Sequence, residues 1–225
     1  MTAYIIDTET THAEVEQAEV IELACYELMR LGLFNAIATI NQHYKPHNSV
    51  SWGALATHHI LPGDLDDCSP SSTAALPADA SHIIGHNVDF DWRVLGSPPV
   101  KRICTLAMAR SVWPELDSHK LGALVYFIMG PVANTKAYLL GAHSAGADVF
   151  YCNTVLNAIL DTRPDIQTVD ELWEFSEFCR IPTIMSFGKY KGRPVAEVDR
   201  GWITWYRKQQ DKDPYLLEAF ERLGR

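Results

Sequence analysis

The chain is short of several features that would place it in a class at once. Cysteine is scarce: Cys25, Cys68, Cys104, Cys152 and Cys179 are five in number, widely spaced and without a CxxC pair. That pattern argues against both a disulfide framework and a zinc knot, and reads as reduced core residues. No apolar run is long enough to cross a bilayer. The longest, Leu121 to Ala133, is broken by glycines and Pro131 and falls short of the roughly 20 residues a span needs, so it reads as a buried helix. Neither a basic n-region nor an apolar h-region precedes Asp7, and a cytoplasmic protein with no membrane partner is expected. Cations are also in deficit, with 19 Lys and Arg against 28 Asp and Glu for a net charge of -9. Taken as a whole, that balance counts against a polyanionic partner, because neutralising phosphates needs lysine and arginine. Internal repeats and low-complexity tracts are absent as well.

What is present is a globular composition, 47% hydrophobic and 21% charged over 225 residues, enough for one ordinary domain with a small addition. Its charge is unevenly spread. Between Ser186 and Lys212, seven basic residues (Lys189, Lys191, Arg193, Arg200, Arg207, Lys208, Lys212) face three acidic ones (Glu197, Asp199, Asp211), a local +4 that leaves -13 elsewhere. A basic tail on an acidic body suits a protein that grips a phosphate backbone in one place and gathers carboxylates in another.

Along the chain, Ala3 to Asp7 is a short apolar run without helical period and predicts a buried strand. Val20 to Leu28 and Phe34 to Ile40 are the next strands, joined by a link short enough for an antiparallel hairpin. Ser51 to His59 predicts a short helix, and the Gly, Pro, Ser and Asp content of 62–81 predicts a long loop or poorly ordered connection. Ser81 to Gly85 reads as a central strand running into a helix from Val88 to Leu95. Lys101 to Leu106 is a further strand, followed by helices at Leu106 to Trp113, Lys120 to Met129 and Ala145 to Leu160. Strands paired first as a hairpin and then alternating with helices imply an α/β fold with a mixed sheet. The expected organisation is a main domain over 1–165, a linking helix within 166–180, about Thr168 to Phe178, and a small basic and aromatic module over 181–225.

Three acids stand where their neighbours make them conspicuous. Asp7 and Glu9, two apart at the end of an apolar strand, leave it on one face. Asp148 shares the helix face of Cys152, Val155 and Ile159, with no lysine or arginine one turn away to pair with it. Asp91 begins the helix after the central strand, a position that by itself only complements the helix dipole. Gathering such carboxylates raises their pKa values and strains the fold unless a divalent ion supplies the opposite charge. Hard oxygen ligands suit Mg2+ or Mn2+, and a few carboxylates around open positions are what attack on a phosphodiester requires. His143, five residues before Asp148, is the best placed of nine histidines to accept a proton near neutral pH.

The segments Ile5-Ile-Asp7-Thr-Glu9-Thr10, His86-Asn87-Val-Asp-Phe90-Asp91 and His143-Ser-Ala-Gly-Ala-Asp148 resemble, in order and spacing, the three motifs of the DEDDh 3′ to 5′ exonucleases. The resemblance implies a ribonuclease H-like mixed sheet flanked by helices, two divalent ions, and release of nucleoside 5′-monophosphates from a 3′ end. It assigns Asp7, Glu9, Asp91 and Asp148 to metal and His143 to general base, and it places Thr10, His58, Asn87 and Phe90 at the substrate. Val20 to Ala24 is similar to the family's second strand. One departure is visible: where the family often continues Thr-Thr-Gly-Leu, with the leucine wedged between terminal bases, Thr10-Thr11 is followed here by His12-Ala13, and alanine cannot fill that role.

Phe187 to Pro194 resembles the tail of the exodeoxyribonuclease X branch of that family. Lys189, Lys191 and Arg193 are the expected phosphate contacts there. Trp202 and Trp205 read as the module's own core, while Tyr190 is open to either role. DNA, single-stranded or at the 3′ end of a duplex, is the expected substrate, with RNA the nearest alternative. A catalytically idle module that holds a nucleic-acid end or a polymerase is the alternative from another class. Oligomeric state is left open, a homodimer being one option.

Overall fold

The computed structural model describes residues 2–32, 36–210 and 212–225. The chain divides into two compact units, Met1–Ser176 and Glu177–Arg225.

The first unit is built on a six-stranded sheet. Its strands are β1 (Thr2–Thr10), β2 (Val20–Leu28), β3 (Ala36–Lys45), β4 (Ser69–Pro70), β5 (Ala80–Gly85) and β6 (Lys101–Cys104), arranged β4-β3-β2-β1-β5-β6. β1 pairs antiparallel with β2, and β2 with β3, while β1, β5 and β6 run parallel. This mixed sheet, with helices packed on it, is the fold class the sequence implies. The predicted start of the third strand at Phe34 lies outside the described residues.

The helices are α1 (Trp52–His58), α2 (Asp89–Val94), α3 (Thr105–Val112), α4 (Leu121–Met129), α5 (Ala133–Tyr138), α6 (Ala145–Thr162) and α7 (Val169–Arg180), with α8 (Arg200–Tyr206) and α9 (Pro214–Arg222) in the second unit. Ser51 caps α1 through its side chain, which accepts from the Ala54 N–H, and His59 ends it in a left-handed conformation. The core beneath the sheet gathers Tyr4, Ile6, Leu23, Cys25, Ile83 and Val88. On the other face α6 contributes Cys152, Val155, Leu156 and Ile159, all essentially excluded from solvent. Because parallel strands end on one edge of a sheet, the C-terminal ends of β1 and β5 place Asp7, Glu9 and the start of α2 together.

Two expectations need correction. Leu121 to Ala133 is not a uniformly buried helix: α4 stops at Met129, where Gly130 takes a φ of 81°. Only Leu124 and Val125 of that helix are buried, whereas Tyr126, Phe127 and Met129 face outward. An apolar run too short to span a membrane can still be two-faced, and composition alone does not reveal which side packs. The connection over 62–81 is not plain loop either. It carries 3-10 turns at Pro62–Leu65 and Ser71–Thr73 and the short strand β4, which extends the sheet through Tyr44 and Lys45. Proline and serine at those turns set the backbone without any hydrophobic period to signal it.

Candidate active site

Residues directly opposite in an antiparallel pair share a face of the sheet. The register Ile5 with Tyr26, Asp7 with Ala24 and Glu9 with Glu22 therefore puts Asp7, Glu9 and Glu22 on the side that α6 covers, where Tyr26 meets Phe150 of α6 edge to face at 5.2 Å. Asp148 enters from the first turn of α6. His143, on the exposed turn just before it, has a φ of 66°. Donor atoms of Glu9, His143 and Asp148 all lie within 4.8 Å of one another. Asp91 comes from α2, only 5% exposed, and is held against β1 by the Thr8 hydroxyl, which donates to its Oδ1 at 2.7 Å.

The electrostatics follow from that crowding. Burial, then the charges of Asp91, Asp148, Glu9 and Glu22, hold the Asp7 carboxyl well above the usual carboxylate range. Burial pushes Glu9 up to about 8, with Asp148, Glu22 and Asp91 adding to it. Asp91 is pushed up to about 7 by burial, against the Thr8 hydroxyl bond. Asp148 is pushed up to about 6 by burial, while the charge and backbone N–H of His143 oppose the rise. Among the described residues, no lysine or arginine charge offsets these four acids. Hard oxygen donors with unmet negative charge and an imidazole at ligand distance fit a divalent cation such as Mg2+ or Mn2+.

Glu22 was not singled out as a site residue in the sequence, yet it ties the cluster together. One carboxylate oxygen accepts from the Ala145 N–H at 3.0 Å and the other from the Ser144 hydroxyl at 3.4 Å. It thus satisfies an orphan donor at the start of α6 and anchors the turn that carries His143 and Asp148. Gly146 lets this end of α6 approach β3, since a Cβ there would meet the Asn41 side chain at 3.1 Å. An acid inside an otherwise buried strand, Val-Ile-Glu22-Leu-Ala, is the signal that could have found it. Glu22→Ala is expected to lower the thermal midpoint by several degrees, because a buried amide left unpaired costs about 1–3 kcal/mol. Glu22→Gln keeps an acceptor and removes a charge facing Glu9. It should match or exceed the parent in metal-free thermal melts. Thr8 had no comparable signal, since its bond to Asp91 spans 83 positions.

The remaining sequence-derived residues fall in several places. Thr10 is buried, its hydroxyl donating to the His12 carbonyl at 2.8 Å. His58 is buried too, with Nδ1 accepting from the Ile60 N–H at 3.0 Å and Nε2 without a well-aligned partner among the described residues. Burial lowers its pKa, and the Thr10 backbone opposes that fall. Asn87 is exposed with a φ of 77°, and Phe90 is half-buried on the first turn of α2. Asn87 and His143 both occupy the left-handed region, which costs a non-glycine residue of order 1–2 kcal/mol. His86 is pinned between Thr105 Oγ1 at 3.0 Å and the His119 carbonyl at 2.8 Å, and burial lowers its pKa to about 4.

In the second unit, Lys189 is engaged by Asp199 at 3.2 Å, whereas Lys191 and Arg193 are exposed. The Tyr190 hydroxyl also donates to Asp199. The two tryptophans divide: Trp202 packs into the unit's core, but Trp205 is 53% exposed. Reading both as core is therefore corrected. Helical spacing shows that residues three apart are neighbours, not that both are covered.

A family model described as Exonuclease matches residues 4–156. Exodeoxyribonuclease 10 of Escherichia coli strain K12 is 26% identical over 206 residues, covering 89% of this chain and 88% of that protein. Among solved structures, exonuclease X in complex with 5′ overhanging duplex DNA superposes with a TM-score of 0.63 at 25% identity, over 77% of this chain and 99% of that one. Escherichia coli exonuclease I in complex with a dT13 oligonucleotide shares the fold, with a TM-score of 0.57 at 20% identity over 73% of this chain and 42% of that one.

Proposed function

The chain belongs to the exonuclease family, and from that premise we propose that it is a divalent-metal-dependent 3′ to 5′ exodeoxyribonuclease releasing nucleoside 5′-monophosphates. The observation that carries the reading is the convergence of Asp7, Glu9, Asp91 and Asp148, each with a raised pKa, beside His143. In this reading residues 1–165 are the exonuclease domain, 166–180 link it onward, and 181–225 form a module that holds the strand.

Asp7, Glu9, Asp91 and Asp148 would hold two ions. When bound, the ions supply the positive charge that activates water and stabilises the departing 3′ oxygen. His143 accepts the proton of the attacking water at an imidazole nitrogen. Its place on an exposed turn lets it pass that proton on to solvent. Thr8 fixes the orientation of Asp91, and Glu22 fixes the turn bearing His143. Thr10, His58, Asn87 and Phe90 surround the terminal nucleotide, and Lys189, Lys191 and Arg193 contact phosphates of the substrate. The match to an exodeoxyribonuclease over most of the chain supports DNA as substrate.

His143→Ala is expected to lower turnover about 10²- to 10⁴-fold, the usual contribution of general base catalysis. The Mg2+ concentration giving half-maximal rate should stay the same. A large rise in that concentration would instead assign His143 to the metal, a role its distance to Glu9 and Asp148 permits. The reading as a whole is tested with matched DNA strands labelled at the 3′ or the 5′ end, incubated with Mg2+ or with chelator. The 3′ label should appear at once as mononucleotide, and the 5′-labelled strand should shorten stepwise. Release of the 5′ label first, or cleavage that survives chelation, would sink it. A parallel RNA strand reports the sugar preference.

A further inference from the structure

The second unit carries a feature that catalysis does not use. Its core stacks Trp202 on Tyr206, with ring centroids 5.1 Å apart and planes 7° apart, and Phe220 closes the inner side edge-on. Trp205, one turn along α8 from Trp202 and 5.6 Å from it, stays outside that stack and is 53% exposed. Phe187 lies 5.8 Å from Tyr206 and is 39% exposed. Phe187, Trp205, Tyr206, Gln209 and Gln210 line a hollow of about 440 Å³, within the roughly 300–1,000 Å³ range of small-ligand sites.

The chemistry of this hollow is specific. Phe187 and Trp205 each pack one part of the ring against Trp202 or Tyr206 and leave the rest open to water, a surface that suits a flat partner. The Gln209 amide nitrogen donates to the Trp205 carbonyl at 3.0 Å, which steadies that side chain. Its amide oxygen and the exposed Gln210 amide offer donors and acceptors at the rim. Charge points the same way. Residues 177–225 hold ten basic and seven acidic side chains, net +3, whereas residues 1–176 hold nine and twenty-one, net -12. Lys208, in the turn that follows α8 with its N–H bonded to the Trp205 carbonyl at 3.1 Å, is exposed, as are Lys191 and Arg193. Aromatic faces flanked by cations are how single strands are held without regard to sequence, bases stacking on rings and phosphates meeting cations.

We infer that the hollow lined by Phe187, Trp205, Tyr206, Gln209 and Gln210 binds an unpaired nucleobase of a single-stranded tract, making the second unit a strand-holding element built from residues outside the catalytic cluster. For the sugar class the inference rests on the deoxyribonuclease reading above. The stacking itself does not depend on cleavage.

The test uses the full chain in chelator, where no cleavage occurs, and follows fluorescence anisotropy of a dye-labelled oligodeoxythymidylate and of an abasic strand of equal length. Trp205→Ala should weaken binding to the thymidylate roughly tenfold, the scale of one lost stacked base, and leave the abasic strand unaffected. Trp205→Leu, which keeps apolar bulk on α8 without a ring, should behave like the alanine variant, and Trp205→Phe should retain most of the affinity. Hydrolysis of the p-nitrophenyl ester of thymidine 5′-monophosphate should be the same in all four proteins, because this single nucleotide carries no further base to stack on Trp205. Unchanged thymidylate binding in the alanine and leucine variants would overturn the inference and leave the rings to a protein partner. An equal loss on the abasic strand would overturn it in favour of a phosphate or folding effect. A chain that fails to cleave but shows the ring-dependent binding would reject the exonuclease reading and keep this one.

Discussion

Asp7→Asn is expected to abolish cleavage while making the metal-free protein more stable. The carboxyl lies under the combined charge of Asp91, Asp148, Glu9 and Glu22 and is held far above its ordinary pKa, burial being the largest cause. At neutral pH that carboxyl must take up a proton on folding, a cost asparagine does not carry, so the metal-free thermal midpoint should rise by a few degrees. The same change removes a ligand for the ions that bear the transition-state charge. Turnover should fall by about 10³-fold or more, as when a preorganised charge-stabilising group is deleted. Binding of a single strand in chelator should persist. Steady-state cleavage and thermal melts on one preparation read both effects, and a variant that is less stable yet active would remove Asp7 from the metal site.

The second large effect is a metal dependence that grows with pH. Glu9 and Asp91 have ordinary values of 4.5 and 3.8 but titrate near 8 and 7 in the fold, and Asp148 near 6. Between the ordinary and the folded values, the folded chain keeps protons that the unfolded chain has lost. Unfolding therefore releases protons, and the metal-free stability falls as pH rises from about 4 towards 8, levelling off beyond the highest folded value. Below the ordinary values both states are protonated and the effect vanishes. Ions require the deprotonated carboxylates, so Mg2+ should stabilise the protein little at pH 5 and strongly at pH 8. At a hundredfold excess over Kd, one site contributes about 2.7 kcal/mol, about 5–10 °C for a chain of this length. Melting curves with Mg2+ or chelator across that range check it. A metal-induced shift that shrinks with rising pH would contradict the raised carboxylates.

Much of the first unit was legible because its signals are local. The apolar run into Asp7 marks β1, although the strand continues to Thr10 and so carries Glu9 with it. The Cys152, Val155 and Ile159 stripe places Asp148 on the packed face of α6. What joins these elements was not legible, because it depends on strand register. Only the pairing of Glu9 with Glu22 shows that β2 supplies a further acid to the same face, where it caps α6. Thr8 alternates with the acids along β1 and looks like a filler residue until α2 brings Asp91 against it. The second unit was harder to read. Trp202 and Trp205 have equal claims by spacing, and Phe220 and Tyr206 decide which of them is covered. Lys189 reads in the sequence as a phosphate contact, and its exposed pairing with Asp199, ten positions on, carries no local signal.

The claim on which the catalytic reading stands is that four acids from three elements share divalent ions. Calorimetric titration of Mn2+ into the chelator-treated chain, with nucleoside 5′-monophosphate present, tests it most directly. The expected result is saturable binding of two ions per chain with proton release at pH 7, reduced by at least one ion in Asp7→Asn and lost in the double variant with Asp148→Asn. Absence of saturable binding, or the same stoichiometry in all three proteins, would contradict it.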